Sequence, residues 1–158
     1  MQLTKNAQTI QELLSQRGID TKVIEFPAST RTAADAAAAI GCDAAQILKS
    51  LIFQTKNTHR PILVLVSGLN RVNEQLIEAA VGEPILKADA DFTRKATGFA
   101  IGGIPPIGHL QRIETYIDED LLKLDLLWAA AGTPHSVFSI HSNQIANLTE
   151  GTVIQVKT

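Results

Sequence analysis

Pro61-Ile62-Leu63-Val64-Leu65-Val66-Ser67-Gly68 sets five apolar residues in a row between a proline and a Ser-Gly pair. A strand with one face in water alternates apolar and polar side chains, so an unbroken run of this length reads as a strand buried on both faces. The Ser-Gly pair ends it. Such a strand lies in the middle of a sheet with cover above and below, and the rest of the chain has to supply that cover.

Toward the N-terminus, Leu3, Ala7, Ile10 and Leu14 follow helical spacing, and Gly18 stands where a helix would end. Thr21 to Phe26 is short, β-branched and aromatic and stops at Pro27, the pattern of a strand running into a loop. Thr32, with Asp35 three residues on, marks a helix start; Ala33 to Ala39 has high helix propensity and Gly41 closes it. Asp43 caps one further turn through Ile47. Lys49 to Gln54 then has strand character, with Leu51 and Phe53 on one face and Ser50 and Ile52 on the other. Lys49 shares the face of Leu51 and Phe53, an anomaly of patterning of the kind that functional sites produce.

Toward the C-terminus, Val72 to Val81 reads as a helix closed by Gly82, and Asp89 to Thr97 as another closed by Gly98. Phe99 to Ile101, Ile113 to Ile117 and Leu126 to Ala130 read as strands. Gly132-Thr133-Pro134 is a turn into the strand Val137 to Ile140; Ser142 caps a short helix to Leu148, and Val153 to Val156 is a last strand. Strands and helices mix without regular alternation, which predicts an α/β fold with a mixed sheet.

The 158 residues, 45% hydrophobic and 19% charged, suit one compact domain over 1–158 that buries its own core. A net charge of -2 gives no overall basic field, so long DNA is not an expected partner and any RNA contact must be local. The start of the chain lacks the pattern of a signal peptide, and the apolar runs fall far short of the ~20 residues that span a bilayer, so a soluble cytoplasmic protein without a membrane partner is expected. The single cysteine, Cys42, reads as a free structural thiol, and no Cys/His spacing suggests zinc.

Four segments could carry chemistry. Gly102-Gly103-Ile104-Pro105-Pro106-Ile107-Gly108 combines flexible and rigid residues into an ordered loop whose backbone N–H groups could clasp an ester or a phosphate, or which could equally be a structural turn. Lys49 reads either as a lysine whose stem lies along an apolar strand or as a charge that binds phosphate and steadies a developing oxyanion. His135, just past a strand, could meet a substrate amine or a water, although a loop histidine more often faces solvent; His59, His109 and His141 read as solvent-facing. Asp118-Glu119-Asp120 reads as a solvated turn and helix start, and Trp128 as core.

In order and separation, these segments resemble the YbaK/EbsC family, the aminoacyl-tRNA editing domains related to the insertion domain of bacterial prolyl-tRNA synthetase. A Lys-Ser-Leu strand is followed roughly fifty residues later by Gly-Gly-x-x-Pro-x-Gly, and that by a Gly-Thr-Pro-His turn. The resemblance implies a mixed sheet or barrel wrapped by helices, no metal or organic cofactor, and hydrolysis of the ester between a wrong amino acid and the 3'-terminal adenosine of tRNA. The implied partners are the 3' end of an aminoacyl-tRNA and a synthetase. It casts Lys49 and His135 as catalytic, Lys49 at the terminal phosphate or ribose, His135 with Thr133 bordering the aminoacyl pocket. Gly102, Gly103, Pro105 and Gly108 would form the loop that positions the carbonyl, with Thr32 and Ser50 also binding substrate. The implied substrate carries a small amino acid such as alanine, cysteine or serine; the alternatives are a non-catalytic tRNA-end or protein-binding module, and an esterase of small free esters. Phe26-Pro27 stands where relatives often carry a histidine, which bears on the amino acid recognised.

Overall fold

The computed structural model describes residues 3–158, and the run Ile62 to Val66 is its centre, every one of the five side chains being fully buried. The helices are α1 (Lys5–Gln16), α2 (Ala33–Ile40), α3 (Glu74–Val81), α4 (Ala90–Thr97) and α5 (Ser142–Thr149). The strands are β1 (Ile24–Glu25), β2 (Ile47–Thr55), β3 (Pro61–Ser67), β4 (Ile85–Lys87), β5 (Glu114–Asp118), β6 (Leu126–Ala130), β7 (Ser136–His141) and β8 (Thr152–Ile154). They form one mixed eight-stranded sheet in the order β1-β7-β6-β2-β3-β5-β8, with β4 attached to β2.

Alternation along β3 divides the apolar residues into two layers. Leu63 and Leu65 join Leu48, Ile52, Ile117 and Phe138 on one face, where α1 and α5 cover the sheet with Ile10, Leu14 and Ile145. Ile62, Val64 and Val66 join Phe53 and Ile85 on the other, under Ile77 of α3. Fully burying one such aliphatic side chain is worth about 1.5–3 kcal/mol, so a slip of β3 by one residue would exchange both layers at a prohibitive cost.

The expected cores of all five helices form. Thr32 caps α2 by accepting from the Asp35 N–H at 3.0 Å, and Gly41, Gly82 and Gly98 close α2, α3 and α4 in the left-handed conformation that glycine adopts without strain. Asn73, rather than Val72, begins α3, because its side chain accepts from Gln75 N–H.

Several expectations are corrected. The strand expected over Thr21–Phe26 is confined to Ile24–Glu25, because Gln11 of α1 takes the backbone ahead of it: its side chain accepts from Val23 N–H at 2.8 Å and donates to the Thr21 carbonyl at 3.0 Å. Phe99–Ile101 is no strand; the Thr97 hydroxyl accepts from the Phe99 N–H at 3.0 Å and holds the chain in a turn. Strand β4, three residues long, carries no period by which sequence could announce it. Asp118 is fully buried at the end of β5, not part of a solvated turn, and Trp128 is half-buried against the small Ala36, Ala37 and Ile47 cluster. His109 is also drawn inward, its Nε2 lying 2.7 Å from the Pro105 carbonyl, and burial holds its pKa below the usual imidazole value.

Candidate active site

Strand β2 changes neighbours along its length. Ile47 and Leu48 pair with β6, whereas Phe53 to Thr55 pair with β4, so Lys49 to Leu51 face no strand on that side. At this gap in the ladder a cleft of about 380 Å3 opens, closed off by the start of α2, by Ile101–Ile104 and by Trp128 to Ala130. Its walls are largely apolar, from Ala33, Ala36, Ile47, Leu51, Ile104 and Val137. The polar residues among its lining are Thr30, Arg31, Thr32, Lys49 and Ser50.

The Lys49 ammonium donates to the Asn70 carbonyl at 3.0 Å. Burial lowers its pKa from the ordinary lysine value, the nearby Arg71 guanidinium lowers it further, and the Asp118 carboxylate acts in the opposite sense. A partly desolvated cation in an apolar cleft attracts an anion far more strongly than a lysine in water does. Beside it, the Ser50 hydroxyl is buried and has no hydrogen-bond partner. Leaving such a group unsatisfied costs about 1–3 kcal/mol, and with its oxygen closed off from solvent the cost falls on the fold itself.

Three loops build the rim, and glycines let them meet. Gly132 N–H donates to the Gly103 carbonyl at 3.0 Å, and a Cβ on Gly103 would lie 2.8 Å from the Thr133 carbonyl carbon. The turn that follows takes a third loop: Phe26 N–H donates to the His135 carbonyl at 2.8 Å, and Thr30 N–H to the Pro134 carbonyl at 2.7 Å. Gly102 has φ +94°, and a Cβ there would stand 2.4 Å from Cγ of Arg31, whose stem crosses it. Glycine at 102 therefore decides where Arg31 lies.

Of the residues expected at the site, Thr32, Lys49, Ser50 and Gly102 line the cleft together. Gly103 lies behind, at the seam with Thr133. Thr133 accepts from the His135 N–H at 3.1 Å and is hydrogen-bonded to Ser136, which shapes the turn rather than the cleft wall. The exposed His135 ring is 3.2 Å from the Ala28 carbonyl and ties the first loop to the turn; no imidazole is among the lining groups. Pro105 is buried, and Gly108 packs toward Ile10 of α1, so neither borders the cleft. Arg31, Asn70, Asp118 and Trp128 carry no motif that singles them out. One signal does exist: Arg31 stands next to a helix cap.

The chain matches the model of the aminoacyl-tRNA editing domain over residues 27–148, from the first rim loop through most of α5. It is 34% identical over 94 residues to the proline–tRNA ligase of Limosilactobacillus fermentum, a match that covers 57% of this chain but only 16% of the ligase. It is 22% identical over 158 residues to EbsC of Enterococcus faecalis, a candidate Cys-tRNA(Pro)/Cys-tRNA(Cys) deacylase, covering 98% of this chain and 96% of that one. The crystal structure of a candidate trans-editing enzyme for prolyl tRNA synthetase superposes with a TM-score of 0.92 at 42% identity, covering 99% of each chain.

Proposed function

The chain belongs to the aminoacyl-tRNA editing domain family, and on that footing we propose that it is an aminoacyl-tRNA deacylase that hydrolyses, in trans, the ester joining a wrong amino acid to the 3'-terminal adenosine of a tRNA. The observation that carries this reading is the partly desolvated Lys49 ammonium, which stands at a gap in the strand ladder and lines a largely apolar cleft. The aminoacyl group enters the apolar part of the cleft between α2 and Trp128, and the terminal ribose and phosphate stay at the mouth with Lys49 and Arg31. Water attacks the ester carbon and the carbonyl oxygen takes up negative charge; the carbonyl then re-forms as the bond to the ribose oxygen breaks, that oxygen taking the proton that the water gives up. Lys49 steadies the charge, and the free hydroxyl of the same ribose assists the water, since the cleft lining supplies no imidazole base.

We place a small amino acid such as alanine, cysteine or serine in the part of the cleft where Ala33, Ala36 and Trp128 stand among its lining residues. Discrimination by one methylene is worth only about 1–3 kcal/mol, so the walls near Ala36 and Trp128 set the choice. Residues 1–158 act as one editing domain in the cytoplasm. Likeness to a proline–tRNA ligase and to a trans-editing enzyme favours tRNA charged by such a synthetase, with the synthetase as partner. The described helices are none of them long and apolar enough to cross a membrane.

The test is a panel of tRNAs mischarged with alanine, cysteine and serine, incubated with the wild-type chain, Lys49→Ala and His135→Ala. Deacylation of at least one member is expected, falling about 100-fold or more in Lys49→Ala, the usual cost of losing one charge-stabilising group. Binding of the tRNA without deacylation would identify a non-catalytic module, and equal turnover of free aminoacyl esters a general esterase; either result overturns the proposal.

A further inference from the structure

Asp118 is fully buried at the end of β5, in parallel register with the end of β3, where Ile117 stands opposite Leu65. Its carboxylate accepts from Ser67 N–H at 3.1 Å, from the Asn70 amide at 2.7 Å and from Asp120 N–H at 2.9 Å. No ion pair holds it among the described residues. A buried carboxylate held only by neutral donors is costly for a fold. Two of its three donors belong to one turn, Ser67 to Asn70, and the carbonyl of that same Asn70 receives the Lys49 ammonium. Asn70 is itself 8% exposed, and among the described residues its amide has no other acceptor than Asp118 and Asp120.

We propose that Asp118, acting through Asn70, is the positioning residue for Lys49: it fixes the turn whose carbonyl receives the ammonium and sets a buried negative charge behind it. The proposal rests on the deacylase reading for its consequence in turnover. Two things follow from the geometry. Without the Asp118 carboxylate the turn loses its anchor and the ammonium its fixed acceptor. Without its charge, the charged group left acting on Lys49 is the Arg71 guanidinium beside the turn, with Arg31 also lining the cleft; Asp120, which shares the Asn70 amide, is already neutralised by Lys123 and Lys157 at 2.9 and 3.3 Å. The balance is then cationic, and the Lys49 ammonium gives up its proton at lower pH.

The experiment is a double-mutant cycle in the full chain, with wild type, Asp118→Asn, Lys49→Ala and the double variant. Deacylation of mischarged tRNA is one readout. The other is the NMR titration midpoint of the Lys49 Cε resonance, which needs no substrate. Asp118→Asn should lower kcat/KM about tenfold or more and move the midpoint down. In the Lys49→Ala background the same substitution should cost less than twofold, since its effect passes through the lysine. An unchanged midpoint, or an equal loss in both backgrounds, would mean that Asp118 serves the fold alone and overturns the proposal. Should Asp118→Asn fail to fold, Asn70→Ala replaces it: the turn then keeps its carbonyl but not its tether, and the same non-additive loss is required. If wild type deacylates no tRNA, the deacylase reading fails, while the titration still decides whether Asp118 governs Lys49.

Discussion

Lys49 shows how one residue can be read from both ends. In the sequence it is an ammonium on an apolar strand face; in the fold, burial and Arg71 hold its pKa below that of an ordinary lysine. Folding therefore disfavours its charged form relative to the unfolded chain. The charged lysine costs stability at neutral pH, and the cost disappears as pH rises through the depressed folded value toward the unfolded one. Lys49→Met should accordingly melt no lower than wild type at pH 7, with the difference between them narrowing by pH 10, while deacylation is lost. Thermal melts at the two pH values check the first part, and a destabilised variant at pH 7 would contradict it. Such a residue, kept against the interest of stability, is the usual signature of function. Asp118 was not legible in the same way. A run of Asp-Glu-Asp after a strand looks like charge facing water, and what buries its first member is the end of β3, a neighbour that only the tertiary structure supplies.

At the scale of elements, helices were read best because each carries its own punctuation: Thr32 or Asp89 at the start, Gly41, Gly82 or Gly98 at the end. Strand ends were read less well, since side chains elsewhere compete for their backbone, as Gln11 does ahead of β1 and Thr97 does at Phe99. The loops were legible as a series of motifs but not as an assembly. Gly102 and Gly103 are adjacent yet do different work, which two substitutions separate. Gly103→Ala drives a Cβ to 2.8 Å from the backbone at Thr133, which has little room to yield, and should destabilise the chain by about 1–3 kcal/mol in denaturant titrations. Gly102→Ala meets a side chain that can swing away; with the strain of its positive φ it should cost about 1–2 kcal/mol and shift Arg31, so that tRNA binding weakens more than stability does.

For the molecule as a whole, the apolar run at β3 was enough to foresee a two-sided core, and the irregular mixture of strands and helices along the chain to foresee a mixed sheet. The position of the cleft was not foreseeable, because it depends on β2 exchanging β6 for β4, and β4 has no sequence signature. With a net charge of -2, the proposed contact with a tRNA end draws on local cations, Lys49 and Arg31 at the cleft among them. If about three of them contact phosphates, the logarithm of affinity for the single-stranded 3' end should fall with the logarithm of salt at a slope of roughly 2, as single strands release about 0.7 counterion per contact. A titration from low to moderate salt would reveal a broader contact surface as a much steeper line. One further property follows from the cleft wall. Trp128 is the chain's single tryptophan, and it stands half-buried beside Ile47 where the cleft is lined. Indole emission from the untagged chain thus originates at the cleft alone, so its colour and intensity form an intrinsic optical gauge of whether that space holds water or an occupant.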